Sequence, residues 1–306
     1  MILFVSGRCD IPAFYSRWFY QRLKEGVVDV RNPFNPHQIS RIYLNEQNID
    51  AILFCTKNPI PMMDRLDEIA FPYLFHITIT PYHTDIEARI QSKKDIIEAV
   101  KKLSMKLGKD RVIIRYDPIL LSPHYTVEYH QRAFEKMCAE LSGYVNRIVI
   151  SFVDMYKNTR QNMARMQLKE MDEEDMKQVA VVLGEIGLRY HMQIQTCAER
   201  VDLEKYHIKK GLCVDPKELE KLIGYPLEPK GKGIRDTCSC YPTVDIGDYN
   251  CCAHGCLYCY ANYDSGKIQE RMKLHDPYSS VLLGHIGPED KVTIREEKRV
   301  RQLPLL

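Results

Sequence analysis

The chain reads as an α/β protein built on a parallel sheet, and three observations predict it. Short β-rich apolar runs alternate with longer segments of helical period through the first two-thirds of the sequence. Six such βα units follow one another, the pattern of parallel strands joined by right-handed crossovers. Residues 224–240 are then rich in glycine, proline and lysine, and the cysteine-rich stretch beyond them has too little apolar material for a core of its own. The expected organisation is an α/β body over residues 1–223 and a cap over 224–306 that packs on its mouth.

The elements follow in order. Ile2-Leu3-Phe4-Val5 opens the first strand, predicted over 2–6, and a helix is expected over 13–25. The apolar run after Ala51 gives a second strand over 51–56, followed by a helix at 61–69. Strands at 74–80 and 111–116 bracket a helix at 93–107. Helix 127–141, strand 147–152, helix 172–184 and strand 190–196 continue the alternation. Shorter helices are expected at 202–210 and 216–222. The stretch 291–301 carries seven charges and reads as a solvated edge or tail.

Composition sets the class. The chain has 306 residues, 45% hydrophobic and 27% charged, the balance of an ordinary globular protein. No apolar run approaches the length of a membrane span, and the first residues lack the charged region of a signal peptide, so a cytoplasmic protein is expected. With 43 basic and 41 acidic residues, charge gives no footprint for nucleic acid, although a local basic patch would still allow it. Eight of the eleven cysteines lie between 197 and 259, which points to metal ligation rather than a disulfide framework.

Cys252, Cys256 and Cys259 are the most informative residues. Their C-x3-C-x2-C spacing forms a compact loop able to hold three corners of a cubane iron–sulfur cluster, leaving the fourth iron open. Zinc is the alternative, with His254 or another thiol as fourth ligand; zinc sites more often pair two distant knuckles, whereas here three thiols crowd into eight residues. Using Cys251 would change the register, so it is read as a bystander. Cys197, Cys213, Cys238 and Cys240 make a further set of four thiols, enough for an auxiliary cluster or a structural zinc, or simply four buried small residues.

Parallel α/β barrels place chemistry at the carboxyl ends of their strands, and here those ends are polar. They carry Arg8 and Asp10, Lys57, Arg115 and Asp117, and Glu199, the candidate catalytic residues. Asp10 and Asp117 also suit capping or turns, and Arg8 with Asp10, or Arg115 with Asp117, suits a salt bridge that only holds a loop. Six successive ends on one rim would nonetheless converge on one cavity.

The triad with its aromatic Tyr258 resembles the signature of radical S-adenosylmethionine (SAM) enzymes. Asp245-Ile246-Gly247-Asp248-Tyr249-Asn250 before the triad and Tyr260-Ala261-Asn262 after it, with Cys9-Asp10-Ile11-Pro12, Asn32-Pro33-Phe34-Asn35-Pro36, Thr56-Lys57-Asn58-Pro59 and Arg115-Tyr116-Asp117-Pro118, extend the likeness. Together they resemble an uncharacterised family, a domain of unknown function, whose members carry the cluster cysteines at the carboxyl end. The resemblance implies a partial (β/α)6 TIM-like barrel of radical SAM type, a [4Fe-4S] cluster that cleaves SAM to a 5′-deoxyadenosyl radical, and an electron donor such as flavodoxin or ferredoxin. It implies that the backbone near Tyr258 approaches the adenine, and Ser6, Thr56 and Ser151, at the polar strand ends, are expected to contact the cofactor. In ordinary members the cysteine loop follows the first strand, whereas here all six strands precede it, and no Gly-Gly-Glu-like segment follows any strand.

Gly255-Cys256-Leu257-Tyr258-Cys259-Tyr260 also looks like the corresponding stretch of the spore photoproduct lyase group. The expectation is therefore a radical SAM enzyme on an unidentified small-molecule or macromolecular substrate. A photolyase-like DNA lesion lyase and a non-catalytic iron–sulfur or zinc scaffold stand as alternatives.

Overall fold

The computed structural model describes residues 1–154, 159–228, 239–262 and 264–295. Its strands in chain order are β1 (Ile2–Val5), β2 (Val27–Asn32), β3 (Asn35–Tyr43), β4 (Ala51–Thr56), β5 (Tyr73–Thr78), β6 (Val112–Ile119), β7 (Arg147–Phe152), β8 (Gln193–Cys197), β9 (Ile208–Gly211), β10 (Thr243–Asp245) and β11 (Lys291–Ile294). The α-helices are α1 (Ile11–Phe14), α2 (Ser16–Glu25), α3 (Lys93–Leu107), α4 (Val127–Leu141), α5 (Arg160–Arg165), α6 (Glu173–Arg189), α7 (Pro216–Ile223) and α8 (Ser265–Met272).

Eight strands form one parallel sheet in the order β10-β1-β4-β5-β6-β7-β8-β9. The α/β class and the parallel sheet are as the sequence predicts. Two strands are additional to the predicted six. One is β9, which lies where a helix was expected over 202–210. There the chain makes a single 3-10 turn at Glu204–Tyr206 and then pairs with β8, which puts Ile208 in the core at 1% exposure. The other is β10, contributed by the segment read as a cap. A closed barrel is not formed, since the edges β9 and β10 exchange no ladder hydrogen bonds. The sheet is nonetheless rolled far enough that the Tyr241 backbone N–H, just before β10, donates to the Val214 carbonyl, just after β9, at 2.9 Å.

Side-chain alternation gives this sheet two different faces. Val5, Phe54, Ile77, Ile114 and Ile150 point to the main core, against Trp18 and Phe19 of α2, Val100 of α3, Phe134 of α4 and Leu183 of α6. Ile2, Leu53, Leu74, Ile113 and Val149 point the other way, where Leu219 of α7 plugs the amino-terminal side. Further along the strands that second face becomes polar, with Cys55, His76, Arg115 and Ser151, so the apolar floor gives way to a polar mouth.

A second sheet, β11-β3-β2, was not expected. β2 and β3 form an antiparallel hairpin, and β11 joins β3 in parallel, so residues 291–294 of the predicted charged tail are a strand. Residues 296–301 of that tail lie outside the described residues. Asp29 of β2 receives Arg41 of β3 at 2.7 Å, and Arg31 reaches Asp290 at 3.0 Å, tying the hairpin to the C-terminal segment.

Candidate metal centre

The loop bearing Cys252, Cys256 and Cys259 folds over the carboxyl ends of β1, β4 and β5. Its attachments are specific. His254 Nε2 donates to Asp10 Oδ2 at 2.7 Å, Tyr258 donates its hydroxyl proton to Glu87, and Tyr260 donates to the Gly7 carbonyl at 2.9 Å. Backbone contacts add a bridge between Glu87 and Cys256, with the Leu257 N–H on the Ile86 carbonyl and the Arg89 N–H on the His254 carbonyl, each at 3.0 Å. Gly255 turns the loop at φ 73°, the left-handed region that glycine enters without a Cβ penalty.

Asn262 organises the loop from behind. Its carbonyl oxygen accepts from the backbone N–H groups of Cys251 and Cys252, both at 2.9 Å, and its amide faces Cys259 Sγ at 3.5 Å. Burial drives the Cys252 thiol well up, with the negative charges of Asp10, Cys259 and Cys256 adding to it and the His254 backbone N–H opposing it. Cys256 is pushed up to about 12 by burial, against the charge of Lys57. Such thiols ionise when a cation draws them, as a metal does. Cys251 points elsewhere: it is wholly buried, its thiol donates to the Asp248 carbonyl at 3.1 Å, and its own carbonyl accepts from Tyr15.

The rim residues divide into small networks. Asp10 accepts from Thr56 Oγ1 at 2.6 Å, from the Lys57 N–H at 2.8 Å and from the Ala13 N–H at 3.1 Å, so it caps α1 as well as holding the loop. Arg8 does not pair with Asp10; it reaches Asp245 at 3.2 Å, the acceptor also of Ser6 Oγ and the Gly7 N–H, both at 2.7 Å. Gly247 packs so tightly there that a Cβ would stand 2.0 Å from Ser6 Oγ. Arg115 and Asp117 form the predicted salt bridge, and Ser151 Oγ donates to Asp117 at 3.4 Å. Glu199 accepts from the Phe152 N–H at 2.9 Å. The hydroxyls of Ser6, Thr56, Ser151 and Tyr258 thus each donate to a carboxylate of the chain.

Sequence reasoning missed Glu87, which lies in the loop after β5, beyond any strand end. Its Oε1 accepts from Lys57 Nζ at 2.8 Å, from Thr80 Oγ1 at 2.6 Å and from Tyr258. Burial alone would raise the Glu87 pKa; the Lys57 charge and these hydrogen bonds outweigh it and hold the carboxylate below its usual range. Its Oε2 is buried with no hydrogen-bond partner, Lys93 Nζ standing 3.9 Å away, and His254 Nδ1 is likewise buried without one. The charge of Asp117 acts on Lys57, and the charges of Asp10, Asp117 and Arg115 act on Cys55.

On the same face, Cys197, Cys213 and Cys240 form a group whose sulfurs all lie within 4.8 Å of one another and that could bind a metal. Cys213 Sγ and Cys240 Sγ are 3.4 Å apart. Cys238, the fourth thiol of the predicted set, lies outside the described residues. Hydrogen bonds from Cys197 and Cys240, with Arg115 and His76 nearby, favour the Cys213 thiolate. The sulfurs of Cys252, Cys256 and Cys259 are not gathered so tightly.

The family described as a domain of unknown function, DUF1848, matches residues 2–261. The chain belongs to this family. The DUF1848 match thereby spans the eight strands of the main sheet, the rim and the whole cysteine loop. No curated protein and no solved structure matches the chain. No helix among the described residues is long and apolar enough to cross a membrane.

Proposed function

We propose that this DUF1848 protein is a radical SAM enzyme in which Cys252, Cys256 and Cys259 hold a [4Fe-4S] cluster over the mouth of a rolled parallel sheet. In that reading the sheet corresponds to the partial barrel of radical SAM type, with the cysteine loop moved to the end of the chain. The observation that carries it is the seating of the triad on the carboxyl ends of β1, β4 and β5, where parallel α/β proteins keep their chemistry.

The donor set fits the group. Three thiols on one short loop can take three corners of a cubane, and the three-thiol count leaves one iron for SAM. When bound and reduced, such a cluster supplies the electron that cleaves SAM and yields a hydrogen-abstracting 5′-deoxyadenosyl radical. The chain's own groups do the rest. The His254 N–H and the Asn262 amide favour charge on the sulfurs, and Lys57 sets a cation beside Cys256. Glu87 Oε2, a buried acceptor without a hydrogen-bond donor, suits the SAM ammonium group, the role for which the sequence offers no glycine-rich segment.

The substrate would enter beside Tyr260, from a cleft of about 550 Å³ that Arg31, Phe34, Tyr249 and Arg271 also line. Its aromatic walls suit a ligand with a flat face, and its arginines are paired, Arg271 with Asp248 at 2.9 Å and Arg31 with Asp290 at 3.0 Å. A one-electron donor of the flavodoxin or ferredoxin kind would reduce the cluster. The test is spectroscopic: the reduced, anaerobically reconstituted chain should give a cluster electron paramagnetic resonance signal that shifts on adding SAM and is lost in Cys256→Ala. A cluster signal indifferent to SAM would favour an iron–sulfur scaffold and contradict the enzyme.

A further inference from the structure

We propose that Cys197, Cys213 and Cys240 bind a zinc ion that fastens the two open edges of the main sheet to each other. The three thiols come from three places that the chain order keeps apart. Cys197 ends β8, Cys213 follows β9 at one edge of the sheet, and Cys240 precedes β10 at the other. All three side chains are buried or half-buried and turn toward a common point.

Spacing decides between the two metals. A tetrahedral zinc with bonds of about 2.3 Å holds its sulfurs about 3.8 Å from one another. The observed separations, 3.4 Å for Cys213 to Cys240 and no more than 4.8 Å within the group, match that single ion. A cubane places its thiolates on the outer corners of a body of four irons and four sulfides, which needs a wider set. Three protein sulfurs leave one corner of the tetrahedron to a further donor.

The consequence for the fold is closure. Across this point the edges are otherwise joined by the hydrogen bond from the Tyr241 N–H to the Val214 carbonyl. An ion held by both edges would supply the link that a barrel obtains from a continuous ladder.

The inference is independent of the radical SAM reading, and its test uses zinc and cobalt alone. A full-length chain carrying Cys252→Ala, Cys256→Ala and Cys259→Ala should purify with about one zinc. Replacing the zinc by cobalt(II) should give thiolate-to-cobalt charge-transfer bands and the strong visible absorption of a tetrahedral centre. Adding Cys213→Ser should abolish both and lower the melting temperature. Should the triad-free chain fail to fold, the comparison is made in the otherwise unaltered chain, where Cys213→Ser should remove about one zinc and leave iron unchanged. A triad-free chain with no zinc above its Cys213→Ser counterpart, one that takes up a cluster's iron instead, or a disulfide between Cys213 and Cys240 would overturn the proposal.

Discussion

His254 and Asp10 meet at 2.7 Å although 244 residues separate them in the chain. Through that contact the cysteine loop is fixed to the first βα connection, and the other acceptor positions of Asp10 fix the same point to the end of β4. Both side chains are buried, at 4% and 5% exposure. A carboxylate with four donors from three parts of the chain is a structural keystone as well as a rim residue.

Asp10→Ala should therefore destabilise the chain by on the order of 3 kcal/mol, since it strands several buried donors at once. The midpoint of urea unfolding measures it. Asp10→Asn should cost less, because an amide oxygen still accepts. A loss under about 1 kcal/mol in the alanine variant would mean that water reaches these donors.

Glu87 and Lys57 give a sharper contrast. Glu87→Gln leaves the buried Lys57 ammonium without its counter-charge and should cost about 3–5 kcal/mol. Tyr258→Phe removes one hydroxyl donor to the same carboxylate and should cost about 1 kcal/mol. Equal losses in the two variants would show that the ion pair is not the main term.

Iron content separates neighbouring cysteines. Cys251→Ala should retain the iron of the reconstituted chain, because its thiol is engaged with the Asp248 carbonyl, whereas Cys252→Ala should lose the SAM-responsive cluster. The opposite result would move the ligand register by one residue.

Acid stability reports on His130. It is fully buried and neutral, its Nε2–H donating to the Leu120 carbonyl and its Nδ1 accepting from Tyr116, both at 2.9 Å. Burial lowers its pKa to about 4. The unfolded chain takes up this proton below about pH 6.5, the folded chain not until near 4, so stability falls as pH drops through that window. Between pH 7 and 5 the loss should be about 2 kcal/mol. His130→Asn should flatten that part of the pH profile, and an unchanged slope would place the titration elsewhere.

The legible parts of the fold are those whose signal is local. Strands 51–56 and 147–152 and helices 93–107 and 127–141 were set by apolar runs and helical spacing, and they stand at those residues. The hairpin of β2 and β3 escaped because much of it is exposed and its third strand comes from residues 291–294. The helix expected over 202–210 gave way to pairing of residues 208–211 with β8. Strand-end polarity singled out Arg8, Asp10, Lys57, Arg115, Asp117 and Glu199 and gave the pair of Arg115 with Asp117, but not that Arg8 would take Asp245 in place of Asp10. Glu87 carried no such signal, and the meeting of Cys197, Cys213 and Cys240 depends on how far the sheet rolls.

The most direct measurement is SAM cleavage by the anaerobically reconstituted, dithionite-reduced chain, which requires no knowledge of the substrate. The account predicts release of 5′-deoxyadenosine and methionine, abolished in Cys256→Ala and reduced in Glu87→Gln. A chain that holds a reduced [4Fe-4S] cluster at the triad and leaves SAM intact would contradict it.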